Sequence, residues 1–206
     1  MRTNIKEQDI KLIEFIGNGI WVVRWDIQPS SNPDYVWECE EVHFNHIPEI
    51  IDIQNVITEW FNKQTDIRIK HSFNWNGKNV YLSDENKFNF KAIIDEAARV
   101  ETAIHIWDES NPELSGKDYI ESIGEDENGN SITVQIPTGR PQSLLPITLK
   151  LGIDNSYNSF YTFTELSELQ EFFNLGVQHL ITAYGIGWGQ IASFDYAPYV
   201  KALEEL

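Results

Sequence analysis

The chain has 206 residues, with 15 basic side chains against 32 acidic ones and a formal net charge of −17 at pH 7. This length suits one large domain that buries roughly 70% of its unfolded surface without disulfides. The strongly acidic balance argues against nucleic-acid binding, which needs basic side chains to displace counterions from phosphates. A membrane protein is excluded by the lack of any apolar run near the ~18 residues that span a bilayer.

The N-terminal stretch and the cysteine content predict where the protein is found. Residues Met1 to Asp9 are mostly polar and contain no apolar core of a signal peptide. Cys39 is the single cysteine, so it cannot form an intramolecular disulfide. We therefore expect a protein made in a bacterial cytoplasm.

Residues 1–45 predict a small β-meander. Apolar and polar side chains alternate in Leu12–Ile16, Ile20–Ile27 and Tyr35–Phe44, as they do in half-buried strands. Gly17-Asn18-Gly19 separates the first two runs, and a turn rich in proline and serine separates the last two.

From Ile47 the apolar period changes from two to 3.6, which predicts an amphipathic helix of about 15 residues with Pro48 in its first turn. Its apolar stripe is Ile50, Ile53, Ile57 and Trp60.

A hairpin is predicted next, because Asn76-Gly77 accepts the positive φ angles of a type I′ turn. The register set by this turn pairs Trp75 with Lys78, Phe73 with Val80 and His71 with Leu82.

Ser83 is a good N-cap for a second helix, and a further strand is predicted at Thr102–Trp107. The buried stripe of this second helix is Phe90, Ile93, Ile94 and Ala97.

An acidic insertion interrupts the pattern at residues 109–143. Between Glu109 and Asn130 seven acids stand against the single Lys117. Because a structureless connection of this length is unusual inside a compact fold, we expect a β-arm in which residues 118–123 pair with residues 131–136. If the arm is a contact element, the side chains expected to meet a partner are Tyr119, Ile123, Ile132 and Val134.

The remaining chain predicts a second hairpin and two helices. Strands are expected at residues 145–153 and 157–163, followed by a helix from Thr164 to Tyr184 that ends at Gly185-Ile-Gly-Trp-Gly. The predicted buried face of that helix is Leu169, Phe173, Val177, Leu180 and Tyr184. Asp195 is expected to cap a final helix, residues 196–206.

Together these elements predict an α+β fold in which antiparallel hairpins pack against two or three amphipathic helices, after an N-terminal β-meander. The predicted domains are residues 1–45, the meander, and residues 46–206, an α+β core that carries the acidic β-arm at 109–143.

Motifs for chemistry are weak throughout. His43 and His46 with Glu49 nearby have donor types that zinc accepts, but no further ligand motif accompanies them. We predict no catalytic residue, no cofactor and no metal ligand. Trp188, in its glycine-rich segment, is the first candidate for stacking on a sugar. A hydrolase that uses paired carboxylates stays open, because pairing in space is not visible in the sequence.

Seven segments of the chain carry a resemblance to a known group: Val22-Val-Arg-Trp-Asp, Val42-His-Phe-Asn-His, Trp60-Phe-Asn-Lys-Gln-Thr-Asp, Phe73-Asn-Trp-Asn-Gly, Val80-Tyr-Leu-Ser-Asp-Glu-Asn-Lys-Phe-Asn-Phe-Lys, Pro146-Ile-Thr-Leu-Lys-Leu-Gly and Phe160-Tyr-Thr-Phe. With these segments the chain resembles uncharacterised phage and prophage proteins of Bacteroides-type bacteria that are related to the domain of unknown function 4376. The resemblance covers nearly all of the chain except residues 109–143.

This resemblance implies a non-enzymatic protein associated with the phage tail or tail fibre, as a structural part or an assembly accessory. It also implies that the partners are other tail or tail-fibre proteins and that the protein is associated with the virion. Whether it forms a homo-oligomer stays open. The alternative is a carbohydrate-binding module, which would need two or more exposed tryptophans on one face.

Overall fold

The structure is a computed structural model that describes residues 1–4 and 9–206. Residues 5–8, which belong to the polar N-terminal stretch Met1–Asp9, lie outside the described residues. The α+β class is confirmed. The strands are β1 (Arg2–Thr3), β2 (Ile13–Gly17), β3 (Ile20–Pro29), β4 (Trp37–Phe44), β5 (Phe73–Trp75), β6 (Lys78–Val80), β7 (Tyr119–Glu125), β8 (Ser131–Pro137), β9 (Ile147–Lys150) and β10 (Phe160–Phe163). The helices are α1 (Ile50–His71), α2 (Asp84–Ser110), α3 (Leu166–Ser193) and α4 (Ala197–Glu204).

The chain divides into two compact units. Unit 1 consists of Met1–Ile67 and Thr182–Leu206, and unit 2 consists of Arg68–Ile181. The boundaries between the units fall inside α1 and α3, whereas the boundary expected from the sequence falls between β4 and α1.

Unit 1 is built on the meander predicted for the N-terminal residues. Strands β2, β3 and β4 pair antiparallel in sequence order, and β1 adds to the edge beside β4. The Tyr199 hydroxyl of α4 donates a hydrogen bond of 2.9 Å to the carbonyl of Arg24. One hydrophobic cluster joins this sheet to the helices of the unit: Ile13, Val23, Trp25, Ile53, Ile57, Phe61 and Tyr199.

Helix α1 is longer than predicted, with 22 residues instead of about 15. The helical spacing of buried residues simply continues past Trp60, since Phe61 and Thr65 are both buried. His71 is the last residue of α1, so the expected pairing of His71 with Leu82 is wrong.

The Asn76-Gly77 hairpin of unit 2 forms as predicted. Phe73 pairs with Val80 and Trp75 with Lys78, and the two turn residues have φ angles of 47° and 78°. Its apolar face is covered by aromatic rings: the centroid of Phe172 lies 5.4 Å from Trp75 and 5.8 Å from Phe73. This hairpin is therefore part of the core of unit 2.

Helix α2 begins as predicted and runs further than predicted. The backbone N–H of Asn86 donates to the Ser83 hydroxyl at 3.1 Å, which confirms the N-cap. The strand expected at Thr102–Trp107 is wrong, because the helix continues to Ser110. The buried side chains of Ala97, Val100 and Ile104 follow one another at spacings of three and four, so burial favours the helix.

Helix α3 differs from its prediction in its end and in its buried face. It continues through the glycine-rich segment to Ser193, so Trp188 lies on a helix. A Cβ atom at Gly187 would lie 2.0 Å from the Thr65 hydroxyl, so this glycine serves close packing of helices instead of ending one. Leu169 is buried as expected, but Val177 and Tyr184 are exposed. Phe172 and Ala183 are buried in their place.

The second hairpin is shorter than predicted, with four-residue strands β9 and β10 and a 3₁₀ turn at Tyr157–Ser159 between them. Asp195 acts at the start of α4, where its carboxylate accepts the N–H of Ala197 at 2.9 Å.

Candidate functional site

The acidic insertion of unit 2 folds into the β-arm that the sequence predicts. Strands β7 and β8 pair antiparallel over seven residues each, from Tyr119 opposite Pro137 to Glu125 opposite Ser131. They form a separate two-stranded sheet roughly 23 Å long. Apart from half-buried Gly124, every residue of the two strands is exposed. We call this pair of strands the arm.

The tip of the arm is closed by one carboxylate. The Asp126 side chain accepts the backbone N–H groups of Asn128 and Asn130, both at 2.8 Å, and the Asn130 side-chain amide at 3.0 Å. These hydrogen bonds favour the ionised form and lower the pKa of Asp126. The hydrogen bonds of Asp126 thus stabilise the predicted turn.

The base of the arm is fixed by Arg140, which follows β8. Its guanidinium donates two parallel hydrogen bonds to Asp108 near the end of α2, at 2.8 and 2.9 Å, and a third to Asp118 at 3.2 Å. Asp108 also accepts the N–H of Gly116 at 3.2 Å. The hydrogen bonds from Arg140 are the largest cause of the lowered pKa of Asp108. We call this group of charged residues the base clamp.

The register gives the arm two unlike faces. Side chains on one face are small or apolar, and we call it the apolar face: Ile120, Ser122, Gly124, Ile132, Val134 and Ile136. A Cβ atom at Gly124 would lie 3.4 Å from a methyl group of Val134, so the glycine lets neighbouring side chains close over this position. The opposite face carries Glu121 and Glu125 beside Tyr119 and Ile123, and we call it the acidic face.

The four contact residues expected from the sequence are all exposed, but they do not form one surface. Ile132 and Val134 lie on the apolar face, whereas Tyr119 and Ile123 lie on the acidic face. Ile123 is the most exposed of them, at 82%. Sequence reasoning missed Ile120 and Ile136, which complete the apolar face, and Arg140, which holds its base. The alternation along β7 and β8 is the signal that could have identified the two isoleucines.

The apolar face is unusual for a structure this thin. An isolated two-stranded hairpin is marginally stable in water, and stable sheets normally cover an apolar face with a helix or further strands. Contiguous exposed apolar surface typically marks a site of protein interaction. The arm can therefore provide a preformed contact surface.

The histidine pair does not form a metal site. His46 lies 3.3 Å from Asp52, and His43 lies 3.6 Å from Glu41, so the two imidazoles have separate partners. In the part of the chain that the structure describes, no group of three or more histidine, cysteine, aspartate or glutamate side chains could hold a metal ion.

A groove in unit 1 brings Asp26 near Glu38 and Glu40, in a cavity of about 580 Å³. Burial, followed by the two glutamates, raises the pKa of Asp26. Asp26 also has a left-handed backbone, with φ of 50°. The hydrolase hypothesis requires two carboxyls with raised pKa values in one groove, and this groove supplies one of them.

Trp188 is exposed, as the glycan hypothesis requires. Its ring stacks on Tyr184 with centroids 5.7 Å apart and planes 25° from parallel. The other six tryptophans, all within the described residues, are buried or half-buried. A carbohydrate-binding module would need two or more exposed tryptophans on one face, whereas this face has one tryptophan and one tyrosine. Carbohydrate binding stays an alternative prediction.

Comparison of the chain with protein-family models, with curated proteins and with solved structures gave no match. The resemblance to the phage proteins therefore stays a prediction. Within residues 1–4 and 9–206, none of the helices has the length and hydropathy needed to cross a bilayer.

Proposed function

We propose that the protein is a non-enzymatic assembly protein that binds a partner protein through the apolar face of its arm. The observation that carries the proposal is a hairpin, with ion pairs at its base, that presents Ile120, Ile132, Val134 and Ile136 to solvent. The resemblance noted above supports a phage tail or tail-fibre protein as the partner.

The acidic groups of the arm define the partner's chemistry. Glu121 and Glu125 lie on the face opposite the apolar one, and Asp126 and Glu127 lie at the tip. Acidic groups at the tip and on the reverse of an apolar face favour a partner that offers an apolar surface with basic side chains beside it, because complementary charge speeds association and selects the partner. Two acidic arms would repel each other, so a second copy of the arm is a poor occupant.

The base clamp supports the same role. A contact element that is ordered before binding loses less conformational entropy when it docks. Arg140 binds both Asp108 near the end of α2 and Asp118 just before β7, so it links the base of the arm to the rest of unit 2.

Two matched variants test the proposal. Val134→Glu places a carboxylate on the apolar face, and Ile123→Glu places one on the acidic face of the same arm. Both positions are exposed, so both variants should keep the wild-type melting temperature. A tagged chain would be expressed in a phage-carrying host, and its amount in purified phage particles would be measured by immunoblot.

We expect the wild type and Ile123→Glu to be found with the particles, and Val134→Glu to be lost from them. Absence of the wild type from purified particles would contradict the tail partner. Equal incorporation of Val134→Glu and the wild type would contradict the apolar face as the docking surface.

A further inference from the structure

The second half of α3 contains three glycines, Gly185, Gly187 and Gly189, and packing within the chain explains the need for a glycine only at Gly187. Glycine in a helix interior is destabilising relative to alanine. Gly187 is accounted for by Thr65, whose hydroxyl would lie 2.0 Å from an added Cβ. Around Gly185 and Gly189, no atom of the described residues outside the local helix backbone lies within 4 Å of where a Cβ would lie. Since they are four residues apart, these two glycines lie on one side of the helix.

Large apolar rings flank these glycines. Tyr184 and Trp188 are 41% and 66% exposed and stack on each other, and Ala192 is exposed one turn further along. We call this surface, formed by Tyr184, Gly185, Trp188, Gly189 and Ala192, the glycine face. Two large aromatic rings beside small residues are thus exposed to solvent on this side of the helix.

The glycine face is also free of charge. No aspartate, glutamate, lysine or arginine occurs from Phe172 to Ser193, although charged residues make up 23% of the chain. Elsewhere the chain carries its net charge of −17, which opposes contact between two copies. The surface of α3 is therefore where two copies can approach without bringing acidic groups together.

We propose that the glycine face binds the same face of a second copy of this chain. A twofold interface must be self-complementary, and an uncharged surface that places large rings next to glycines can meet that requirement. In the pair, Gly185 and Gly189 let the two α3 helices approach closely, while Tyr184 and Trp188 pack over the partner helix. The interface uses unit 1 residues only and does not depend on the arm.

Glycine-to-alanine substitution gives the sharpest test, because it has opposite effects on the monomer and the dimer. The double variant Gly185→Ala/Gly189→Ala favours the helix, so the melting temperature of the monomer at high dilution should rise. The added methyl groups separate the two helices, so the dimer dissociation constant should rise about tenfold or more. Sedimentation velocity over a concentration series measures the second effect.

A pair of aromatic truncations provides the matched control. Trp188→Ala should abolish the dimer, whereas Phe88→Ala, at another highly exposed aromatic residue in α2, should leave it unchanged. The wild type should sediment at twice the monomer mass of 23.9 kDa. Variants of the arm, such as Val134→Glu, should dimerise like the wild type, which separates this inference from the proposed function.

Three results would overturn the inference. The first is a wild-type chain that stays monomeric up to about 100 μM. The second is a glycine double variant that dimerises as tightly as the wild type. The third is a monomer whose Trp188 fluorescence changes on addition of oligosaccharides, which would assign the ring pair to glycan binding instead.

Discussion

Two of the three hairpins of unit 2 have a turn glycine with the same φ angle and differ in their surroundings. Gly77 in the Asn76-Gly77 hairpin of β5 and β6, here called the central hairpin, and Gly129 in the loop between the arm strands both have a φ angle of 78°. In the central hairpin Phe73 and Trp75 are buried beneath aromatic rings. In the arm, the strands are more than twice as long and their side chains are exposed.

The difference shows that strand pairing alone does not define what a hairpin is for. The central hairpin has only three residues per strand, and it is stabilised by the packing of its apolar face. The arm pairs seven residues per strand, and Arg140 forms ion pairs at its base. The central hairpin is a structural element of the core, and the arm is the contact surface that we propose.

Phe172→Ala should give the largest effect. Phe172 is 1% exposed and contacts both aromatic residues of the central hairpin. Removing its ring should lower the free energy of unfolding by about 3–5 kcal/mol. The matched change in the arm, Ile136→Ala, should lower it by less than about 0.5 kcal/mol. Urea denaturation followed by circular dichroism measures both, and equal losses would remove the distinction between the hairpins.

The two turn glycines allow a comparison at the same φ angle. Alanine in a left-handed conformation costs about 1–2 kcal/mol, and at both glycines an added Cβ would meet no atom of the described residues beyond the chain neighbours within 4 Å. We expect Gly77→Ala to lower the global melting temperature. Gly129→Ala should leave it unchanged and speed amide exchange only within β7 and β8. A global loss of stability in Gly129→Ala would mean that the arm unfolds together with unit 2.

Acid should loosen the arm before it affects the central hairpin. The pKa of Asp108 is lowered in the folded state, so the base clamp stabilises the arm at pH values above the unfolded pKa of about 3.9. That contribution is lost as the pH falls through the lowered, folded pKa. Backbone order parameters from NMR should fall first in β7 and β8 on acidification.

Arg140→Gln is the control for this pH dependence. It should loosen the same strands already at pH 7, because Asp108 and Asp118 lose their guanidinium partner. Acidification should then cause little further change in the order parameters. An arm that stays ordered in this variant would show that the base clamp is dispensable.

Val134→Thr should have the smallest effect on stability. The change removes apolar surface from an exposed residue while keeping the β-branched shape that suits a strand. We expect a change of less than about 0.5 kcal/mol in the free energy of unfolding. The affinity for the partner should fall nonetheless. Reduced binding at unchanged stability is the result expected if the arm serves contact and the central hairpin serves the core.

Features determined by local chemistry were predictable from the sequence. The Asn76-Gly77 turn, the Ser83 cap and the pairing of the arm strands all depend on residues near one another in the chain, and the structure contains each of them. The arm could be located for the same reason, since its composition differs from that of its neighbours.

Features determined by tertiary packing were not predictable. Residues 102–107 fit a strand pattern in isolation, but the burial of Ile104 depends on the rest of unit 2. Helix α3 has apolar side chains around most of its circumference, so the sequence could not select Phe172 over Val177 as the buried position. The glycines around Gly187 predict a helix end, and the neighbour that explains Gly187, Thr65, is distant in the sequence. The two faces of the arm likewise depended on its register.

The distribution of tryptophans provides a spectroscopic reporter. Six indoles are at least partly shielded, while Trp188 is 66% exposed on α3. A water-soluble quencher such as acrylamide should therefore act first on Trp188, and the shielded indoles serve as an internal reference. Without any label, the quenched fraction of the emission reports whether that side of α3 is open to solvent or covered.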